Sequence, residues 1–177
     1  MAVETGNQLQ VAYIPEVTFK TTPATPTGKL LRKVGFTLNA ERGFIKNNEL
    51  RTDRQNAPGR GGVMVGKGEV SGNWSYATYD DLLEAALGGT WTTNVLKIGT
   101  TRKSFTFERA HKVNGIYFPF KGVVVNSFEI SGKADDKVEC KFGLIAAVCS
   151  PEAVATLWTS TTAENANPID TTWNGTI

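Results

Sequence analysis

The chain has 177 residues and a formal net charge of +2, with 40% hydrophobic and 20% charged residues, which is enough for one globular domain with its own core. The near-neutral charge gives no argument for global polyanion binding, and no apolar run reaches the roughly 18–20 residues of a membrane span. No basic segment followed by an apolar one stands at the start, so no signal peptide is expected.

Most of the chain has the pattern of β-strands. Alternation is clearest at residues 63–76, where one set of positions ends polar and the other ends apolar, as in a strand with one solvent-exposed face. The predicted strands cover residues 30–38, 44–50, 63–76, 95–98, 104–109, 115–120, 123–131 and 137–148. A hairpin turn is expected at Asp135-Asp136, between the last two strands.

One helix is predicted at about residues 77–88, where apolar residues recur at helical spacing before Gly88-Gly89, a common helix stop. Thr78 and Asp81 have the spacing of a capping box. Asp80, Asp81 and Glu84 crowd the first turns, where the helix dipole favours negative charge. A catalytic carboxylate pair would need burial and raised pKa values, so we interpret these acids as structural.

The residues that carry most catalytic and metal chemistry are scarce. Cys140 and Cys149 are nine residues apart, which on a regular strand places them on opposite faces, so we expect two reduced thiols. His111 is the single histidine and has no nucleophile elbow beside it. We therefore expect no enzyme, no catalytic residues, no cofactor and no metal site.

Positive charge is concentrated in residues 29–67, which hold nine basic and three acidic residues, whereas the remainder holds ten basic and fourteen acidic ones. A polar, glycine-rich loop at residues 50–62 joins two predicted strands within this basic part. Its arginines could contact phosphates, including a nest at residues 59–62, but it has no aromatic residue for base stacking and no Walker motif. The alternative is an extended hairpin that reaches the acidic surface of a neighbouring subunit.

Five segments lie in register at residues 15–26, 48–55, 68–76, 79–91 and 120–131. Together they resemble the tail tube proteins of long-tailed bacteriophages. Residues 15–26 are similar to the Thr-Pro-rich opening of that family, although Lys20 stands where the family often has glycine. Residues 48–55, 68–76, 79–91 and 120–131 resemble, in order, its Glu-Ile-Arg-x-Asp-Arg-Gln stretch, a strand, the Asp-Asp-Leu-Leu-Glu-Ala-Ala-Leu-Gly-Gly segment and the Val-Asn-Ser-Phe strand.

The resemblance implies a virion protein related to the type VI secretion tube protein. It implies a mainly β fold, a two-sheet β-sandwich or partial barrel with one flanking helix. Six copies would form a ring, and stacked rings would form the tube through which double-stranded DNA passes without specific binding. The implied partners are further copies of the chain and the tape-measure, tail-tip and terminator proteins, with no membrane. The tube would be assembled in the host bacterial cytoplasm.

The candidate interface residues lie in the basic loop and at the helix start: Arg51, Asp53, Arg54, Arg60, Asp80, Asp81 and Glu84. Alternation suggests that Glu69, Glu129 and Glu139 face the lumen, since DNA that slides through needs a wall without positive excess. We divide the chain into an N-terminal arm (1–26), a β-domain (27–150) and an unassigned segment (151–177), whose end is a candidate truncation point.

Two other functions stay open on the sequence. One is a ring-forming tail terminator, capsid-decorating protein or secretion tube. The other is a monomeric β-sandwich that binds glycan or nucleic acid through Trp74, Trp91 and Trp158, although large aromatics on strands more often belong to cores or interfaces.

Overall fold

The computed structural model describes residues 9–49, 58–75, 77–133, 136–150 and 152–163. In chain order, the first strands are β1 (Leu9–Pro15), β2 (Thr27–Leu30), β3 (Gly35–Phe36), β4 (Asn39–Ile45) and β5 (Arg60–Asn73). They are followed by α1 (Asp80–Leu87), β6 (Trp91–Thr92), β7 (Val95–Leu96), β8 (Phe105–His111), β9 (Ile116–Ser131), β10 (Glu139–Cys149) and β11 (Ser160–Thr162). The predicted mainly β fold with one flanking helix is confirmed.

Nine strands form one large sheet, and β6 and β7 form a separate two-stranded sheet. The large sheet has the order β11-β2-β1-β8-β9-β10-β5-β3, and β4 also pairs with β5. All of these pairs are antiparallel except β11 with β2. The long strand β5 pairs with β10 on one side and with β3 and β4 on the other. The long strand β9 pairs with β8 over its first half and with β10 along most of its length.

The large sheet curls toward a partial barrel. β2 lies near one end of the strand order and β3 lies at the other end, yet only residues 31–34 separate them in the chain. A few residues span at most about 3.5 Å each, so the two ends of the sheet must approach each other. The Phe36 ring stacks on Phe107 of β8 at 6.2 Å between centroids, which places an aromatic contact across the interior.

The core lies inside this curl. It is built from inward-facing residues of the long strands β1, β5, β8, β9 and β10. Side chains of the helix and of residues 30–38, a segment that crosses over β5, complete it. Its buried members are Val11, Tyr13, Leu31, Leu38, Val70, Tyr79, Leu82, Phe105, Phe107, Phe120, Val123, Cys140, Phe142, Leu144, Ala146 and Cys149. Stacked aromatic pairs such as Tyr13 with Phe107, at 5.4 Å, fix the middle of this cluster.

Glycines on the inner face of β5 let the chain cross over it. A Cβ on Gly68 would overlap the backbone of Leu38, and one on Gly72 would overlap the Tyr79 hydroxyl and come within 2.8 Å of the Arg32 carbonyl oxygen. The Tyr79 hydroxyl donates a hydrogen bond to that same carbonyl. The glycine spacing in β5 is thus a requirement for close backbone approach.

The helix ends as predicted but begins differently. Gly88 adopts the left-handed conformation, at φ 63°, and closes the C-terminus. The capping-box prediction is wrong, because the N-cap residue is Tyr79 and makes no side-chain cap. The Thr78 hydroxyl is instead hydrogen bonded to Ser75, at 2.5 Å, while Tyr79 is drawn into the core.

Several strand predictions are corrected. The apolar run at residues 30–38 is mostly the crossing segment, because its backbone passes over the β5 glycines, and strand β4 begins at Asn39. The separate strands predicted at 115–120 and 123–131 are one strand, β9. Residues 9–15, placed in the N-terminal arm, form β1 and pair in register with β8. The rest of the proposed division stays a prediction.

Both cysteines are free and buried. The expectation that they lie on opposite faces is wrong, since both belong to the same core cluster. Cys149 pairs with Phe120 of β9, and Ala146 pairs with Val123. Gly122 between those partners has φ 62°, and this irregularity breaks the alternation so that Phe120 and Val123 are both buried.

Residues 152–162 lie along one side of the sheet as a C-terminal strap. Glu108 of β8 is 1% exposed, and its carboxylate accepts hydrogen bonds from the Thr156 hydroxyl at 2.7 Å and the Leu157 N–H at 2.6 Å. The Trp158 ring packs over Gly28, and β11 adds to the edge at β2. A buried carboxylate therefore holds the strap on β8.

A second acid, Glu16, organises the turn after β1. Its carboxylate accepts hydrogen bonds from the backbone N–H groups of Lys20 and Gly122, each at 2.9 Å, and from the hydroxyls of Ser104 and Thr106. Lys20 in this turn has φ 67°, a conformation that favours glycine.

Candidate assembly surfaces

An open sheet face is formed by β5, β10 and the second half of β9. The register places Glu139 opposite Asn73 and Ser131, and places Lys141 opposite Ser71 and Glu129. Directly opposed residues of antiparallel strands point to the same face. The face is outside the core cluster, whose members on β10 are the intervening residues.

The three glutamates proposed for the lumen all lie on this open face. Glu69 is opposite Gly143, in the row next to Lys141, and the side chains of Glu69, Glu129 and Glu139 are exposed. The described lysines on the same face are Lys67 and Lys141, so acidic residues exceed basic ones by one. The structure thus groups these glutamates, and their position in a lumen stays a prediction.

Two strand edges beside this face are unpaired within the described residues. On the β8 side, pairing of β9 runs only as far as Val123 with Phe105, so residues 124–131 have a free edge. On the opposite side, β4 pairs with β5 alone. Free edges of this kind are templates for pairing with another chain.

The β4–β5 hairpin projects from the body. All seven residues of β4 are exposed, and four large apolar residues of the hairpin are also exposed: Phe44, Ile45, Val63 and Met64. Exposed apolar groups on one element mark an interaction surface. Arg60 lies at the end of the paired region, opposite Ile45, whereas Arg51, Asp53 and Arg54 lie outside the described residues.

The apolar residues of this hairpin are assembly candidates that the sequence analysis did not single out. Their signal was present, because residues 44–45 and 63–65 are apolar on consecutive positions, and consecutive apolar side chains in a two-stranded ribbon cannot all face one core. The polar composition of the loop indicates only its arginines, because the apolar residues lie in the two flanking strands.

An acidic cleft lies at the start of α1, and its volume is about 670 Å³. Asp81 is ion-paired with Lys29 and accepts a hydrogen bond from the Tyr13 hydroxyl at 3.3 Å. Glu84 is ion-paired with Lys103 and accepts the Trp91 N–H at 2.8 Å. The structure brings these acids together as a cleft wall that also contains Trp74 and Trp91.

The cleft shifts the pKa values of its acids in opposite directions. Partial burial, with Asp81 and Glu84 close by, raises the pKa of Asp80. Burial also acts to raise the pKa of Glu84, but the hydrogen bonds from Lys103 and Trp91 outweigh it and lower this pKa. Asp80 is therefore the least compensated carboxylate of the cleft.

The described residues contain no group of three metal-ligating side chains. Burial raises the pKa of the Cys140 thiol to about 11, which disfavours the reactive thiolate at neutral pH. His111 packs edge-on against Phe118 at 5.6 Å. In the same part of the chain, no helix has the length and apolar character needed to cross a membrane.

The fold of the chain is similar to that of solved tail structures. No curated protein sequence matches the chain. The tail of an empty GTA particle has a similar structure, with a TM-score of 0.52 and 12% identity over 87% of this chain and 100% of that one. The SPP1 tail tube is also similar (TM-score 0.47, 14% identity, 82% and 76% covered), as is a type six secretion system protein (0.40, 12%, 82% and 91%).

The family assignment comes from a sequence profile that matches residues 6–177 and is described as the phage tail tube protein. Proteins of this family are structural components of the virion and not enzymes. The match spans nearly the whole chain, including the hairpin and the helix with its acidic cleft. The chain belongs to the phage tail tube protein family.

Proposed function

We propose that six copies of this chain close into a ring and that stacked rings form a tube whose bore conducts DNA. The observation that carries the proposal is the four-stranded portion β4-β5-β10-β9, which has an open polar face and a free edge on either side. In the proposed ring, β4 of one copy pairs with the free half of β9 in the next. Closure then removes both edges, as in a barrel.

The six-fold count is supported by one relative of the same fold. The GTA particle tail was computed with C6 symmetry. A closed ring made by one rotation uses two different surfaces on each copy, and β4 and β9 supply two such edges. Stacking of rings uses surfaces other than these two edges, among which are the exposed apolar side chains of the hairpin.

The charge of the open face suits a wall that DNA slides past. Glu69, Glu129 and Glu139 outnumber Lys67 and Lys141 on this face, so repetition around a ring would give a bore with a net negative wall. Contacts between basic side chains and phosphates supply most of the non-specific affinity for DNA. A wall without positive excess therefore keeps DNA mobile.

The first test is negative-stain electron microscopy of the purified protein over a concentration series. Hollow tubes or stacked six-fold rings are expected. Separate rings that never stack would favour a terminator-like role instead. Single small particles at every concentration would contradict self-assembly of this chain.

The lumen assignment has its own test. In the triple variant Glu69→Lys, Glu129→Lys and Glu139→Lys, tubes should still form but should retain DNA at low salt, because the wall becomes basic. A control with the same charge change on exposed residues outside the strands of this face, Glu49→Lys, Asp136→Lys and Glu152→Lys, should form tubes that do not retain DNA inside. DNA retained equally by both sets would overturn the lumen assignment.

Assembly also requires partners that set tube length and ends. We propose contacts with the tape-measure, tail-tip and terminator proteins, and assembly in the cytoplasm of the host bacterium before the virion is complete. Arg51, Asp53 and Arg54 stay candidates for contacts between subunits or rings. Co-purification of ring-forming protein with these partners would test the first point.

A further inference from the structure

The acidic cleft at the start of α1 holds one more carboxylate than it has cation partners. Asp81 is ion-paired with Lys29, and Glu84 is ion-paired with Lys103. Across the described ranges, the Asp80 carboxylate has neither an ion-pair nor a hydrogen-bond partner. The cleft is therefore short of one cation.

The walls of the cleft favour a planar cation. Trp91 is held at the rim by two hydrogen bonds, from its N–H to Glu84 at 2.8 Å and from its indole N–H to the Asp80 carbonyl oxygen at 3.4 Å. Its ring stays 37% exposed. Trp74 also lines the cleft. A guanidinium group stacks on indole rings and binds carboxylates in a fixed geometry, which an ammonium group does not match.

The β4–β5 hairpin carries the complementary charge. Its described residues, 39–49 and 58–67, include four basic and two acidic side chains. The Arg42 side chain is already in use, since its Nε donates to the Gly62 carbonyl at 3.2 Å. Arg60 is exposed and has no ion-pair partner in the part of the chain that the structure describes.

A second groove on the same helix gives the contrasting case. It lies between α1 and β9, and its lining includes Arg102 and Lys103. Lys103 is ion-paired with Glu84, so Arg102 is the charge that this groove presents, and it would repel the basic hairpin. Charge complementarity thus selects the acidic cleft as the acceptor.

We propose that this cleft binds the β4–β5 hairpin of a second copy, with the Arg60 guanidinium against the Trp91 ring and paired with the Asp80 carboxylate. This inference rests on the proposed function, because it assumes that copies of the chain associate. It deepens that function by naming both partners of one contact between copies.

Cross-linking between two single variants tests the contact directly. Arg60→Cys protein is mixed with Asp80→Cys protein and treated with a short bis-maleimide. The native Cys140 and Cys149 are buried, so wild-type protein measures their background. Because each variant carries one new thiol, a mixed dimer can form only between two copies. Lys112→Cys, in an exposed turn, replaces Arg60→Cys as the matched control.

The possible outcomes distinguish a failure of the Arg60–Asp80 contact from a failure of ring formation. A mixed dimer at least about tenfold above the control is expected, and it supports the contact even if electron microscopy shows no ring. Rings or tubes without the mixed dimer overturn the contact and leave the proposed function standing. Neither rings nor mixed dimer overturns both.

Charge reversal supplies a second readout. Arg60→Glu and Asp80→Lys should each raise the protein concentration needed for half-maximal assembly by about tenfold or more. The double variant should recover most of that loss, because the pair is restored with its signs exchanged. If the double variant is as poor as the two single losses combined, the proposed pairing is wrong.

Discussion

The body of the molecule and its β4–β5 hairpin differ in how far their side chains are buried and in the contacts that stabilise them. In the body, β8 is covered on both faces, and even its carboxylate Glu108 is buried with two hydrogen-bond donors. In the hairpin, every residue of β4 is exposed, and Phe44 is 67% exposed. The body is thus stabilised by its own contacts, whereas the hairpin exposes apolar surface of the kind that marks an interaction site.

The largest expected contrast comes from the same truncation in each region. Phe107→Ala removes a fully buried ring and should lower the free energy of unfolding by about 3–5 kcal/mol. Phe44→Ala should change it by less than about 0.5 kcal/mol while weakening assembly. Chemical denaturation of the dissociated protein and sedimentation of the assembled protein measure the two effects. A similar loss of stability in both variants would remove the distinction between body and hairpin.

A smaller loss is expected where the body holds the C-terminal strap. Glu108→Ala leaves the Thr156 hydroxyl and the Leu157 N–H without their acceptor, which should cost about 2 kcal/mol. The strap should then be cut faster by protease. Glu152→Ala, an exposed change in the same segment, is the control. Unchanged protease resistance in the Glu108 variant would show that other contacts hold the strap.

A gain is expected where the body holds a strained lysine. Lys20 has φ 67°, and a left-handed residue other than glycine costs about 1 kcal/mol or more. Lys20→Gly removes that cost against the greater chain entropy of glycine, so a net gain of about 0.5 kcal/mol is expected. Lys112→Gly, where φ is not positive, should give no gain. Thermal denaturation compares the two variants.

The smallest effect concerns the acidic cleft. Because the folded state raises the pKa of Asp80 above its ordinary value of 3.8, the folded chain binds more protons than the unfolded chain between these two pKa values. Stability from this group is therefore present below the ordinary pKa and is lost as pH rises through the raised pKa. Asp80→Asn removes the penalty.

The Asp80→Asn variant should consequently be slightly more stable than wild type at neutral pH and equal to it near pH 3. Denaturation of the dissociated protein at several pH values measures this difference. A variant that is less stable at neutral pH would mean that Asp80 has a stabilising partner. A gain in the folded monomer with a loss in assembly would indicate that the carboxylate is kept for a second copy.

The sequence predicts the elements whose patterns are local. The alternation at residues 63–76 corresponds to β5, and the apolar spacing before Gly88 corresponds to α1. In the register of β5, β10 and β9, Glu69, Glu129 and Glu139 share one exposed face, and their place in a lumen stays a prediction.

Other structural features depend on contacts between residues that are distant in the sequence, so local sequence patterns do not predict them. Residues 30–38 are as apolar as a strand, but the missing side chains of Gly68 and Gly72 allow this segment to cross the sheet. β1 was missed since its pairing with β8 decides its state. The N-cap position went to Tyr79 because burial of that ring outweighs a local cap.

At Gly122 the inward–outward alternation of side chains changes in β9, the longest described strand. Before it, Phe120 faces the core, and after it, Val123 does so, which a strict two-residue repeat would forbid. A second break lies at the register shift between Gly143 and Leu144, whose partners are Ser127 and Val125. Past it, Phe128 packs against the core and Glu129 is exposed. The two breaks together return the strand to its starting phase, and regular alternation through only one of them would exchange the two sets of side chains beyond it. The side chains exposed around Glu129 would then be replaced by their neighbours through a change at Gly122, about 23 Å away along the strand at about 3.3 Å per residue.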